Sequence, residues 1–248
     1  MLMRPDAAEG RQLMLAANHL LPRRPDAAWC RLFGRYAHAF AEDARRFVLL
    51  HMDDRRHFHA ALLAAWHSGK QPLLAPHRRP PLLHSLRQLA FLDASRCLGP
   101  AQALPRRLPE PSPLPVEATF SLFTSGSHGA PCRVDKPISS LAAEVVTLQH
   151  HFGAALADDV PMLSSVGHQH IYGLLYNILW PAFAGHRCLP RVVSAAALQQ
   201  RLQALTCRGG STPYALCTTR LCGEILGRHR RKTYWCPSCQ PMPDETAC

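Results

Sequence analysis

The chain has 248 residues, 47% of them apolar, which supports a substantial core and argues against wholesale disorder. Lys and Arg number 28 against 17 Asp and Glu, a formal charge of +11 that favours polyanions such as nucleotides, nucleic acid or acidic membrane surfaces. The longest apolar runs fall short of the roughly eighteen residues that a helical membrane span needs, and the charged, proline-broken start is not a signal peptide. A cytoplasmic setting is the expectation, and there the ten cysteines read as thiols and metal ligands rather than disulfides.

Residues 7 to 43 read as helices, with Trp29, Leu32, Phe33, Tyr36 and Phe40 at helical spacing. Phe47 to Leu50 is a short apolar run fit for a buried strand. Asp53 or Asp54 can cap the helix that follows. Phe58, Ala61, Leu62, Ala65 and Trp66 form its apolar stripe, Gly69 stops it, and Gln71 to Ala75 gives a second strand. A strand, a helix and a strand in so short a span predict an α/β fold with parallel strands. Prolines then crowd around Pro72 to Pro81 and from Pro100 to Pro115, marking loops or a linker. Ala118, Phe120 and Leu122 alternate with polar residues as a strand does. Further on, a helix fits 139 to 152, a strand fits 161 to 166, and Ile171 to Trp180 reads as a buried helix. A helix with Ser194 as its cap follows over 194 to 205. His57, His59, His150 and His151 read as surface residues.

The strand at Phe120 runs directly into Thr124-Ser125-Gly126-Ser127-His128-Gly129. Glycines let the backbone approach a polyanion, successive amides can form an anion-binding concavity, and the hydroxyls add donors. By composition alone this is also an ordinary loop. The ordered string TSGSHGAPCRVDK resembles the phosphate-binding loop of the adenylate-forming superfamily, the acyl-CoA synthetases and related AMP-binding ligases. Thr124, Ser125, Gly126, Ser127, Gly129 and Pro131 match; His128 and Cys132 replace the family's threonine and lysine, and Arg133 or Lys136 is the nearby positive charge. Downstream, Ser164 to Leu175 (SSVGHQHIYGLL) is similar to the family's aromatic and histidine motif, which implies an acid pocket shaped by His168 and His170. Upstream, residues 62–76 resemble the family's helix and strand. The wording HQHIYGLL is similar to acyl or aryl ligases of pigment and aryl-polyene biosynthesis. The likeness covers about residues 25–200. It implies ATP, Mg²⁺ and a carboxylic acid as ligands, with coenzyme A or a carrier protein as acceptor. The later adenine and ribose motifs and the lid with its catalytic lysine have no counterpart in this chain.

The carboxyl-terminal stretch has a different texture. Cys217-x4-Cys222-x13-Cys236-x2-Cys239 offers four thiolates in two knuckles, a spacing suited to tetrahedral Zn²⁺. Metal would supply much of the folding free energy of so small a module. Residues 231–240 (RKTYWCPSCQ) closely resemble the zinc finger of the formamidopyrimidine-DNA glycosylase and endonuclease VIII family, with Arg231 at the position that contacts DNA. Between 201 and 248, seven Arg and Lys face three Asp and Glu, 7 − 3 = +4, a balance suited to phosphate contacts. The glycosylase's amino-terminal catalytic proline and glutamate have no counterpart.

The expected architecture is therefore an α/β, partial AMP-binding ligase domain followed by a small zinc-ribbon β-hairpin. Its parts are 1–100 and 116–205 within the ligase-like region, a Pro-rich stretch over 101–115, and a basic four-cysteine tail over 206–248. Three functional readings stand side by side. They are acid activation by adenylation, zinc-dependent DNA binding, and a fusion or truncated reading frame that joins the two.

Overall fold

The computed structural model describes residues 18–75, 77, 82, 86, 89–98, 107–115, 117–125, 131–156, 158–192, 194–206 and 215–217. Helix α1, Ala27–Ala41, begins where the Asp26 carboxylate accepts the Trp29 amide at 2.8 Å. Trp29, Phe33, Tyr36, Ala37 and Phe40 form its buried stripe. Strand β1, Phe47–Leu50, leads to helix α2, Arg55–His67, capped by Asp54, whose carboxylate accepts the His57 amide at 2.9 Å. Gly69 then turns the chain in the left-handed region, at φ 68°, into β2, Gln71–Leu74.

β1 and β2 pair in parallel, and β3, Phe91–Asp93, flanks β1 on its other side, also in parallel. β4, Thr119–Ser125, runs parallel to β2. β5, Pro131–Pro137, folds back antiparallel on β4, giving the order β3-β1-β2-β4-β5. Pro72 sits inside a strand with neighbours on both sides, which has a local explanation. The Gln71 and Ala75 amides donate toward β1, to the Arg46 and Leu50 carbonyls. Alternation therefore turns the Pro72 nitrogen toward β4, whose pairing starts only at Leu73.

Helix α2 is buried on every side from Phe58 to Trp66, because α1 covers one face and the sheet the other. His59 is consequently 8% exposed, which corrects the expectation of a surface residue. The Trp66 indole donates to the Thr119 carbonyl at 3.2 Å and fastens α2 to β4. Because β2 pairs with β4, the stretches on either side of the Pro-rich region share one sheet. Residues 107–115 pack on that body. Leu108 and Pro109 come so close to Gly34 that an added Cβ would meet the Leu108 Cβ at 2.7 Å, and Leu114 is 1% exposed.

Helix α3, Ile138–Phe152, precedes a second sheet. Its middle strand is β6, Pro161–Ser164. Next come α4, Ile171–Leu174, a π-helical turn over Leu175–Leu179, and α5, Trp180–Ala184, closed by Gly185 at φ 81°. β7, Arg187–Cys188, pairs parallel with β6. In α6, Ala195–Thr206, the Ser194 hydroxyl accepts the Ala197 amide at 3.2 Å. The last described strand is β8, Ala215–Cys217, which pairs parallel with β6 on the side opposite β7.

Two sequence expectations change here. The residues after Pro131 form a strand that polar RVDK concealed. The change of texture near 206–212 does not end the α/β body, since Ala215, 7% exposed, belongs to its main core cluster. Residues 7–17, expected to be helical, lie outside the described residues, as does residue 218 onward. The zinc-ribbon hairpin therefore has only Cys217 within the described structure, at the end of β8.

Candidate functional site

All the strands of the first sheet except β5 run in one direction, so the segments leaving β1, β2 and β4 emerge at a common edge. At this edge lie His51 to Asp54, Ala75, and the end of β4 at Thr124 and Ser125. In open α/β sheets, ligands gather outside the carboxyl ends of strands. The strands of the second sheet also share a direction, and the segments beyond β6 and β7 meet the first edge. His168 Nε2 lies 2.7 Å from the Met52 carbonyl oxygen, and Gln169 Nε2 donates to the same oxygen at 2.9 Å. Arg55, at the start of α2, donates to the Leu189 carbonyl beyond β7.

Thr124 and Ser125 end β4 at this edge, with Thr124 opposite Cys132 and Ser125 opposite Pro131. Gly126, Ser127 and Gly129 lie outside the described residues. Lys136 is not brought to this end of the hairpin. It stands opposite Phe120, four residues along β5 from Cys132, roughly 13 Å at strand rise. The base of the hairpin is held by a chain of hydrogen bonds across strands. Gln71 Nε2 donates to Ser121 Oγ at 3.0 Å, and Ser121 donates to Asp135 Oδ1 at 2.7 Å. Arg133 Nε approaches the same carboxylate at 3.2 Å.

The two motif histidines part company. His168 is 3% exposed and packs edge-on against Phe58, with ring centroids 4.7 Å apart. Burial pulls its pKa down to about 4; the Met52 hydrogen bond and the Asp53 charge pull upward more weakly, and the Arg55 and Arg191 charges add to the lowering. The neutral ring therefore donates Nε2–H to Met52 and leaves Nδ1 without a proton. His170 is exposed and opens α4: its carbonyl accepts the Leu174 amide at 2.7 Å. Its pKa is lowered by partial burial and then by Arg191 and His77, which place it beside the chain leaving β2. Gly173 explains the tightness of this loop, because a Cβ there would stand 2.1 Å from the Gly167 carbonyl oxygen.

His168 and Gln169 also help to line a cavity of about 690 Å³. Sequence reasoning missed Gln169 and the Met52 carbonyl as the joint between the sheets. The signal available was the amide set between two histidines in His168-Gln169-His170. Among the described residues, no group of three or more His, Cys, Asp or Glu is placed to hold a metal ion. Cys222, Cys236, Cys239 and Arg231 lie outside them, and neither fold nor comparison supports the DNA reading. No helix among the described residues is long and apolar enough to cross a membrane.

No family model matches the chain, and comparison with curated proteins finds no match. Solved structures do match. The o-succinylbenzoate CoA synthetase (MenE) of Bacillus subtilis, in complex with ATP and magnesium ion, is 14% identical with a TM-score of 0.59, over 92% of this chain and 67% of that one. The apo structure of Mycobacterium smegmatis MbtA is 17% identical with a TM-score of 0.56, over 80% of this chain and 46% of that one. The N-terminal domain of FACL13 from Mycobacterium tuberculosis is 14% identical with a TM-score of 0.50, over 77% of this chain and 58% of that one. At these identities the likeness is one of fold. The α/β body has the fold found in AMP-binding CoA synthetases, and the chain spans about half to two thirds of the length of the structures it matches.

Proposed function

We propose that the chain forms the phosphate- and acid-binding part of an ATP-dependent ligase that activates a carboxylic acid by adenylation. One observation carries this reading: Thr124 and Ser125 end β4 at the carboxyl edge of a parallel sheet, in a fold whose solved neighbours include one bound to ATP and magnesium. The amides at Gly126 and Gly129 and the hydroxyls of Thr124, Ser125 and Ser127 would cradle the triphosphate. Lys136 is left out of that set by its place in the hairpin. His170, beside His77 and Arg191, is the motif histidine open to an incoming acid. His168 is the buried one that keeps the two sheets in place.

In this reaction a carboxylate oxygen attacks the α-phosphorus of ATP. The bond from that phosphorus to its bridging oxygen breaks, pyrophosphate leaves, and an acyl adenylate forms. Mg²⁺, arriving with the triphosphate, neutralises its charge. The thiol of coenzyme A or of a carrier protein then attacks the acyl carbon, the bond from that carbon to the phosphate oxygen breaks, and AMP leaves.

The test is acid-dependent exchange of labelled pyrophosphate into ATP, across a panel of aliphatic and aryl acids. Exchange with at least one acid, reduced by Ser127→Ala and by Gly129→Ala, is the expected result. Absence of exchange across the panel, or exchange indifferent to both substitutions, overturns the reading.

A further inference from the structure

The first sheet ends on one side in β3, three residues long, and on the other in β5, seven residues long. Among the described residues no strand pairs with the outer flank of β5. The register fixes which main-chain groups that flank presents. The Ile138 amide donates to the Ala118 carbonyl at 2.9 Å, so Ala118 and Ile138 are a hydrogen-bonded pair of the β4–β5 ladder. Such pairs alternate, which makes Lys136, Val134 and Cys132 the residues bonded to β4. Two observations agree. Ser121 and Asp135 then fall in a non-hydrogen-bonded pair, where side chains approach most closely, and they bond at 2.7 Å. Pro131 and Pro137 fall in the outward-facing set, where a missing N–H breaks no bond to β4. The outer flank therefore offers the N–H and C=O of Arg133 and of Asp135, between two prolines that donate nothing. The Cys132 thiol stands 3.8 Å from the Arg133 oxygen, which leaves that acceptor open to a stronger donor.

Charges and prolines on an edge strand usually discourage pairing with other chains. Here their order is self-complementary. An antiparallel copy of β5, related by a two-fold axis through Val134, sets Arg133 against Asp135 of the second copy and Asp135 against its Arg133. Both members of each pair face outward, so each pair exchanges two main-chain hydrogen bonds. Val134 meets its own copy on the axis and Cys132 meets Lys136, so no like charges stand opposite. Pro131 opposite Pro137 ends the ladder on both sides. The neighbouring two-fold registers are worse, since they set Arg133 against Arg133 or Asp135 against Asp135. The two charges are also held in place beforehand. The Arg133 guanidinium lies over the Phe47 ring, 5.3 Å from its centroid, and Asp135 is held by Ser121.

We propose that two copies of this chain join through β5 into one continuous sheet, with Val134 on the two-fold axis. One short strand pair buries well under the roughly 1,200 Å² of a standard interface, so the dimer is weak and reversible, with a Kd of roughly 10 µM to 1 mM. Nothing in this pairing depends on the adenylation reading.

Sedimentation equilibrium of the full chain, from about 5 µM to about 1 mM, should show a reversible dimer. Arg133→Asp opposes carboxylate to carboxylate, and Asp135→Arg opposes guanidinium to guanidinium, so each alone should weaken the dimer at least about tenfold. An equimolar mixture of the two variants sets every carboxylate against a guanidinium and should restore a heterodimer, which misfolding would not do. The register is read separately, with the charges intact. In a Cys132→Ser background, Val134→Cys should cross-link to its copy under mild oxidation, because the paired Cα atoms lie about 4.5 Å apart, within disulfide reach. Lys136→Cys, roughly 13 Å from its own copy, should not. A chain that stays monomeric to about 1 mM overturns the proposal, and means that another segment or another protein covers β5. So does a dimer that neither charge substitution weakens, or one that Val134→Cys does not cross-link. Folded variants whose mixture stays monomeric overturn it as well. If the charge variants do not fold, the cross-linking result decides.

Discussion

The imidazole of His168 stands 2.7 Å from the carbonyl oxygen of Met52, and through that oxygen the loop after β6 is joined to the chain leaving β1. Gln169 donates to the same atom at 2.9 Å. One buried acceptor served by two adjacent donors makes the pair redundant, and redundancy has a measurable signature. His168→Ala and Gln169→Ala should each lower stability by about 1 kcal/mol beyond lost packing, since one donor still serves the carbonyl. The double substitution should exceed the sum, by roughly 1 to 2 kcal/mol, because the oxygen is then buried and unmet. Urea unfolding of the four proteins measures the coupling. Strict additivity would show that Met52 finds water instead.

His168 and His59 also set a dependence on acidity. Both are neutral in the folded chain, with burial lowering each pKa to about 4. In the unfolded chain each returns toward about 6.5. Between those values the unfolded state binds more protons, so stability is greatest above about 6.5 and declines as pH falls toward 4. The slope approaches about 1.4 kcal/mol per pH unit for each histidine. Unfolding midpoints between pH 7 and pH 5 test the sign, and His59→Gln should remove its share of the slope. Stability that is level or rises on acidification would contradict the buried, neutral assignment.

Gly173 has no room for a side chain. A Cβ would lie 2.1 Å from the Gly167 oxygen and 3.1 Å from the His168 Cα, both backbone atoms. Gly173→Ala should cost about 3 kcal/mol or more, since the loop must move as a unit and carry His168 away from Met52. Thermal unfolding gives the loss. A melting temperature within a degree or two of wild type would mean that the loop yields easily.

The four-cysteine spacing makes a separate prediction. The full chain should carry about one zinc, removed by Cys236→Ser. Elemental analysis of purified protein decides it. Metal-free protein whose far-ultraviolet and tryptophan spectra are unchanged by added zinc would dispose of the site. Cys217 ends a paired strand, so a zinc site there would be tethered to the second sheet.

Much of the fold could be read directly from the residues. Phe47 to Leu50, the Asp54 cap and Gly69 are local signals, and local signals need no tertiary knowledge. β5 was missed although Cys132 and Val134 alternate with Arg133 and Asp135, because the run is short and none of Cys132 to Pro137 is buried, so pairing with β4 is what identifies the strand. His59 looked like a surface residue because a helix covered on both faces hides its polar members as well. The proposed phosphate-loop residues rest on order and spacing alone, and Lys136 could be placed along the hairpin only once its register was known. The cavity was invisible in sequence, since Trp29, Arg55, Asn177 and His186 come from four separate segments. Asn177, a lone amide in the apolar run Ile171 to Trp180, was the one trace it left.

β8 lies at the border of the second sheet, with β6 between it and β7. Cutting the chain near residue 206, where composition suggests a natural break, would strip Ala215–Cys217 from β6. β6 is wholly buried, and losing its neighbour would leave a bare ladder flank beside apolar side chains, a surface that recruits foreign strands. A shortened protein of that kind should precipitate, whereas one ending after Cys217 keeps β6 enclosed.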